Sequence, residues 1–197
     1  LLVEGPSDIL YLQSASAALR ELKRPHLSTK WAICPSGGID KILPFVRLFH
    51  GNKLNIAVLT DYERGQKKKL DDLYKSTILE GERIQLATEI AGQEEADIED
   101  FFTRAFFIKL VNDTYGLDDT HKVTLERLDK IEPKTDRIVK LVEAYFRTLP
   151  NTVGEFNHFD PAMHLLGHPE LFDSEDGKSS LETFEKAFSR IETFVRE

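Results

Sequence analysis

The stretch LLVEGPSDILYL (residues 1–12) sets an apolar run against a carboxylate, a Gly-Pro turn and a second carboxylate. Leu1, Leu2 and Val3 read as the end of a buried strand. Glu4 stands at its tip, and Asp8 opens a helix whose residues Ile9, Leu10, Leu12, Ala15 and Leu19 form a rough helical stripe. Carboxylates gathered at one place hinder one another's ionisation. A cation is the usual reason for a chain to gather them.

Outward from this stretch, strand-like and helix-like segments alternate over the first ninety residues. Pro25 ends the first helix. Residues 31–34 are a second apolar run, stopped by Pro35 and the turn Ser36-Gly37-Gly38. Residues 39–49 read as a helix, 56–59 as a third strand ending at Thr60-Asp61, 65–74 as a helix and 83–87 as a fourth strand. Strands apolar throughout and separated by helices predict a parallel sheet covered on both faces. Such sheets collect functional groups at the carboxyl ends of their strands, where Glu4 and Asp61 both fall. Beyond about residue 98 the chain is rich in Phe at helical spacing, with helices expected over 98–111, 134–146 and 181–194. These stripes suit packing better than base stacking. The expected organisation is an α/β core over 1–112 and a mostly helical half over 113–197, with a helix returning to the site.

Two further acidic motifs join the first. AVLTDYERG (57–65) runs a buried strand into Asp61 and Glu63, whose side chains share a side if the backbone stays extended. DIEDFF (97–102) places Glu99 and Asp100 at the mouth of a helix. Mg²⁺ and Mn²⁺ take oxygen ligands of this kind, and a pair of such ions can clamp both oxygens of a phosphodiester in transfer. Each acid has a plainer alternative. Asp8 suits a helix first turn, Glu4 could cap that helix, Asp61 and Glu63 could pair with Arg64 and the lysines after it, and Glu99 and Asp100 suit a helix start. What sets them apart is that Glu4 and Asp61 arrive independently at one sheet edge.

Glu followed by Gly at a first strand end, with an acidic pair after a later strand, resembles the Toprim domain. The wording is most similar to the C-terminal nuclease region of OLD (overcoming lysogenization defect) proteins of the class 2 kind, through LLVEGPSDILYL, ADIEDFF (96–102), FNHFDPAMHLL (156–166) and LETFEKAFSRIETF (181–194). The resemblance extends over nearly the whole chain. It implies a Rossmann-like Toprim fold and a metal-dependent DNA endonuclease using Mg²⁺ or Mn²⁺ as two ions. The metal ligands it implies are Glu4, Asp8, Asp61, Glu63 and Glu99, with Asp100 a further candidate. Glu4, Asp61 and a lysine would be catalytic. Lys134, expected at a helix head in EPKTDRIVKLVEAYF (132–146), is the first choice and Lys178 the second; either could stabilise charge developing on phosphate. Glu63 departs from the family, which usually has a second Asp there. The resemblance also implies an N-terminal ABC-type ATPase in the same protein, which would bind ATP and could pair two copies. Its absence would fit a chain that begins in mid-strand. The alternatives are a topoisomerase- or primase-type Toprim, or a non-catalytic cation-binding interaction domain.

Composition narrows the field. A net charge of −8 argues against a protein that coats nucleic acid non-specifically, though a nuclease whose acids hold cations escapes that objection in part. The lysines at 67–69 and the Arg20, Lys23, Arg24 group read first as solvated helix faces. One cysteine, Cys34, excludes an internal disulfide framework and fits a reducing, cytoplasmic setting. No apolar run reaches the length of a membrane span, so no membrane partner is expected. Gly177-Lys178-Ser179 lacks the upstream glycine and the strand of a phosphate loop. Ser36-Gly37-Gly38 could present N–H groups near a phosphate, shape the metal site or be a plain turn. His164 and His168 are spaced for zinc, but Gly167 and Pro169 interrupt the helix such a pair needs.

Overall fold

The computed structural model describes residues 1–52, 54–75 and 83–194. Four short strands, β1 (Leu2–Val3), β2 (Cys34–Pro35), β3 (Val58–Thr60) and β4 (Ile84–Leu86), lie in the order β2-β1-β3-β4. All pairings are parallel, with Leu2 opposite both Cys34 and Val58, and Val58 opposite Ile84. The helices between them are α1 (Pro6–Glu21), α2 (Ile39–Gly51) and α3 (Lys67–Lys75), the last entered through a 3-10 turn at Arg64–Gln66.

Side chains alternate across the sheet. Val3, Ala57 and Leu59 join one core, against α1 and the later helices, whereas Leu2, Val58, Ile84 and Leu86 join a second, against α2 and α3. Both faces are therefore covered, which is why the strands read as unbroken apolar runs. From β1 the chain steps to β2 on one side; from β3 it steps to β4 on the other. The carboxyl ends of β1 and β3 thus flank the point where strand order reverses, and in sheets of this kind the crevice for a ligand opens there.

The remaining helices are α4 (Ala87–Ala91), α5 (Arg104–Tyr115), α6 (Leu125–Leu128), α7 (Ile138–Phe146), α8 (Phe159–Gly167) and α9 (Glu175–Glu192). Helices α8 and α9 pack on α1. The Phe stripes are core: Phe102 stacks on Phe106 with centroids 5.3 Å apart and meets the Tyr11 ring edge-on at 5.1 Å. Among the described residues no helix is long and apolar enough to cross a membrane.

The element boundaries depart from the sequence expectation in four places. The second strand is Cys34–Pro35, displaced toward the proline. Cys34 N–H and Ser36 N–H donate to the Leu1 and Val3 carbonyls, so Pro35 falls where an edge strand needs no donor. The helix expected over 98–111 is a 3-10 turn (Ile98–Phe101) followed by α5, because Thr103 turns extended and its hydroxyl caps Phe106 N–H at 3.1 Å. The helix expected from Lys134 starts at Ile138, leaving Lys134 in the preceding loop. Helix α9 starts earlier than expected, where Ser174 caps Gly177 N–H at 3.1 Å. A Cβ at Gly177 would lie 2.6 Å from the Phe172 Cα, so Gly177-Lys178-Ser179 is a close helix approach and no phosphate loop.

Candidate metal centre at the sheet edge

Glu4 leaves β1 beside the end of β3. Its Oε1 accepts from the Thr60 hydroxyl at 2.5 Å and from Asp61 N–H at 3.1 Å, so the first and second motifs are joined across neighbouring strands. Asp8 folds back on the strand tip, its Oδ2 accepting from Gly5 N–H (2.8 Å) and Glu4 N–H (3.1 Å). The Gly-Pro pair makes this possible: Gly5 is extended before the helix and Pro6 supplies a first helical residue with no N–H to satisfy. On the other side, Gly37 N–H and Gly38 N–H donate to the Glu4 carbonyl at 2.9 and 3.2 Å. Both glycines have positive φ, 80° and 111°, which side chains disfavour. The Ser-Gly-Gly turn therefore shapes the backbone of Glu4, and these N–H groups are committed to it.

Asp61 and Glu63 flank Tyr62, which bridges Ala96 in antiparallel fashion. Glu63 is extended, and the two acids meet different partners. Asp61 Oδ1 accepts from Ile98 N–H at 3.1 Å. Glu63 Oε2 accepts from the Arg137 guanidinium at 2.6 Å.

The acids of all three motifs lie within one another's electric field. Burial raises the Glu4 carboxyl, and the Asp97 charge adds to it against the bonds from Thr60, Asp61 and Ile39. Burial, then the charges of Glu99 and Glu4, push Asp8 up to about 7. Asp61 is raised well above the usual carboxylate range, first by burial and then by Asp8, Asp97, Glu4 and Glu99. The donors are hard oxygens, suited to Mg²⁺ or Mn²⁺. As the side chains stand, no three His, Cys, Asp or Glu among the described residues converge on one point in a metal-holding group. Each carboxylate rests instead on neighbouring N–H or hydroxyl groups. The chemistry of the set fits a divalent cation; closing on one requires these side chains to converge further than they do here.

Residues 1–62 match the family described as Overcoming lysogenization defect protein-like, TOPRIM domain. They are an OLD-like Toprim region. The matched residues hold Glu4, Asp8 and Asp61, whereas Glu63, the third motif and the stretch at 156–166 lie beyond them. No match to the chain was found among curated proteins or among solved structures. Toprim domains are typically metal-dependent nucleases or primases.

Several residues around the Toprim acids were not singled out from the sequence. Arg137, only 12% exposed at the side chain, binds Asp97 through two nitrogens and Glu63 through a third. It precedes α7, and the one available signal was its place beside the expected helix start. Asp97 is itself 3% exposed. His158, when charged, donates from its two ring nitrogens to Glu143 (2.6 Å) and Glu99 (3.3 Å), and the Glu99 bond heads the causes that raise its pKa to about 9. Asp100 is held by backbone. Its two oxygens accept from Asp97 N–H (2.8 Å) and from Ile138 N–H (2.9 Å) at the head of α7, so it ties the third motif to that helix.

The sequence-based lysines lie elsewhere. The Lys134 ammonium reaches the Asp129 carbonyl and stands 3.6 Å from Glu132, in a polar cleft also lined by Arg64, Glu95 and Arg104. Lys178 is exposed in the first turn of α9. The cations that meet the acidic motifs directly are Arg137, at Glu63 and Asp97, and His158, at Glu99. His164 and His168 stack with centroids 4.4 Å apart at the end of α8. Cys34 is half-buried beside the second core.

Proposed function

We propose that this Toprim region is the catalytic part of a metal-dependent DNA endonuclease working beside an ABC-type ATPase of the same protein. The observation that carries it is the joining of Glu4 to Asp61 at the strand-order reversal, with Asp8 and Glu99 in the same field and no protein cation bonded to Glu4, Asp8 or Asp61 among the described residues. Buried carboxylates left without a cation are costly, and a bound ion removes that cost. Glu4, Asp8 and Asp61 would hold Mg²⁺ or Mn²⁺, with Glu99 and Glu63 at the border. Such ions, when bound, supply a water nucleophile and stabilise the leaving 3′ oxygen.

The chain's own residues set the stage for that chemistry. Thr60 and the Gly37-Gly38 turn fix Glu4 from its side-chain and main-chain oxygens. Arg137 fixes Asp97 and Glu63, which keeps the third motif against the sheet edge. Glu4 and Asp61 hold or release protons at the carboxyl oxygens left free by these bonds. DNA is the substrate, and a homodimer would form through the ATPase. Plasmid nicking in Mg²⁺ or Mn²⁺, against the same protein in EDTA, tests it. Nicking by the parent protein and none by Asp61→Ala is the expected result; equal nicking by the two would overturn the proposal.

A further inference from the structure

Helices that follow parallel strands begin at the carboxyl edge of the sheet, and here two of them begin with lysines. Lys41 is in the first turn of α2, and Lys67, Lys68 and Lys69 form the first turn of α3; all four are exposed. This placement opposes the helix dipole, which favours acids at that end. No acid lies in the first turn of α3. Lys69 is spoken for, since its ammonium pairs with Asp40 at 2.7 Å and fastens α3 to α2. Lys41, Lys67 and Lys68 have no carboxylate at ion-pair distance among the described residues. Asp71 and Asp72 stand four residues after Lys67 and Lys68, in the less favourable order for a helical pair.

Lys41 is also tied to the acidic centre by geometry. Its stem folds back over the Ser-Gly-Gly turn, where a Cβ at Gly37 would lie 3.3 Å from its Nζ. Gly37 in turn donates to the Glu4 carbonyl. A free ammonium therefore stands one turn of backbone away from the first metal-motif acid. In a chain of net charge −8, Lys41, Lys67 and Lys68 repel one another at the starts of two helices, where the first-turn acid Asp40 is taken up by Lys69. A polyanion approaching that edge would reverse the balance.

We propose that Lys41, Lys67 and Lys68 form a rim that receives the phosphodiester backbone of duplex DNA beside the acidic centre. It rests on the nuclease reading for its substrate. The test is binding, which needs neither metal nor cleavage. A short labelled duplex is titrated in EDTA at several low salt concentrations. The parent protein is compared with the triple variant Lys41→Ala, Lys67→Ala, Lys68→Ala and with the same three changed to Arg. All three positions are exposed, and circular dichroism checks the fold. The alanine variant is expected to lose roughly tenfold or more in affinity, with the salt slope flattened by about one per lysine, and the arginine variant to recover both. Equal affinity and slope for parent and alanine variant, or no duplex binding by the parent, overturns the rim. Plasmid nicking by the parent is scored separately. Rim-dependent binding without nicking sinks only the nuclease assignment; nicking with rim-independent binding sinks only the rim.

Discussion

Glu63, Asp97 and Glu99 meet cations supplied by the helical half, Arg137 for the first two and His158 for the third. Glu4, Asp8 and Asp61 meet N–H groups, the Thr60 and Ser7 hydroxyls, and the negative charges of one another, Asp97 and Glu99, but no cation among the described residues. The two sets have the same chemistry, and each holds buried carboxylates, yet one is paired with cations and the other is not. Neutralised acids hold the third motif in place. Acids left in mutual repulsion are the ones a cation from outside would satisfy. The metal ligands expected from sequence therefore divide into an open group on the strands and a paired group at the border.

The largest effect that would break this division is at Asp61. Asp61→Ala is expected to lower metal-dependent nicking by about a thousandfold or more, several kcal/mol of charge stabilisation being lost with a ligand. Asp61→Asn should do the same to nicking while raising the melting temperature of the metal-free protein, since it removes one of several repelling charges. A drop in that melting temperature would mean that Asp61 is internally satisfied after all.

Arg137 comes next, with the opposite signature. Arg137→Ala leaves Asp97 buried and unpaired, and should cost about 3–5 kcal/mol in urea unfolding at neutral pH. Adding Asp97→Asn should recover part of the loss, as expected for directly contacting groups. Lys134→Ala, at an exposed side chain, should stay within about 0.5 kcal/mol. Equal losses at Arg137 and Lys134 would remove the distinction between a cation built into the acidic group and one beside it.

The open acids were legible in the sequence, as were Glu63 and Glu99 of the paired group; Asp97 and the cations that pair with that group were not. Glu4 and Asp61 announce themselves because each ends an apolar run, and strand order places such ends together. The parallel sheet itself was readable from the same runs, since a strand buried on both faces has no polar alternation to blur it. Arg137 and His158 carry no such mark. Each reaches its carboxylate through tertiary contact from a distant segment, Arg137 to Asp97 across 40 positions and His158 to Glu99 across 59. The missing break at Thr103 has a local cause that a purely periodic reading passes over: the run of Phe continues through it, and only the hydroxyl marks a cap. Lys134 illustrates the reverse error. Its sequence context resembled a helix head, but Thr135 Oγ1 accepts from Arg137 N–H and delays the helix to Ile138.

Acidity should act on both groups in the same direction. Asp8 and Asp100 are raised from 3.8 to about 7, and Glu4 and Asp61 are also raised. Between about pH 4 and pH 7 the folded state then binds more protons than the unfolded chain, so stability falls as pH rises and stays lower above pH 7. His158, raised from 6.5 to about 9, contributes fully below pH 6.5 and loses its contribution as pH climbs through 9. Both trends have the same sign. In EDTA, the melting temperature should fall from pH 5 to pH 8, and Mg²⁺ should restore more of it at pH 8, where the open acids are ionised. A melting temperature that rises with pH in EDTA would show that the acids are not in mutual repulsion.

The smallest effect serves as the reference for all of these. Thr103 caps α5 through Phe106 N–H and lies within the Phe-rich packing, with no titrating partner. Thr103→Ala should cost about 1 kcal/mol, the usual value of a lost cap. Because no proton is taken up or released, that loss should be the same at pH 5 and pH 8 and the same with and without Mg²⁺. Urea titrations under the four conditions measure it. If the cost instead varied with pH or Mg²⁺, the Phe-rich packing around α5 would be coupled to the acidic motifs. The sorting of carboxylates into open and paired groups would then describe one connected network.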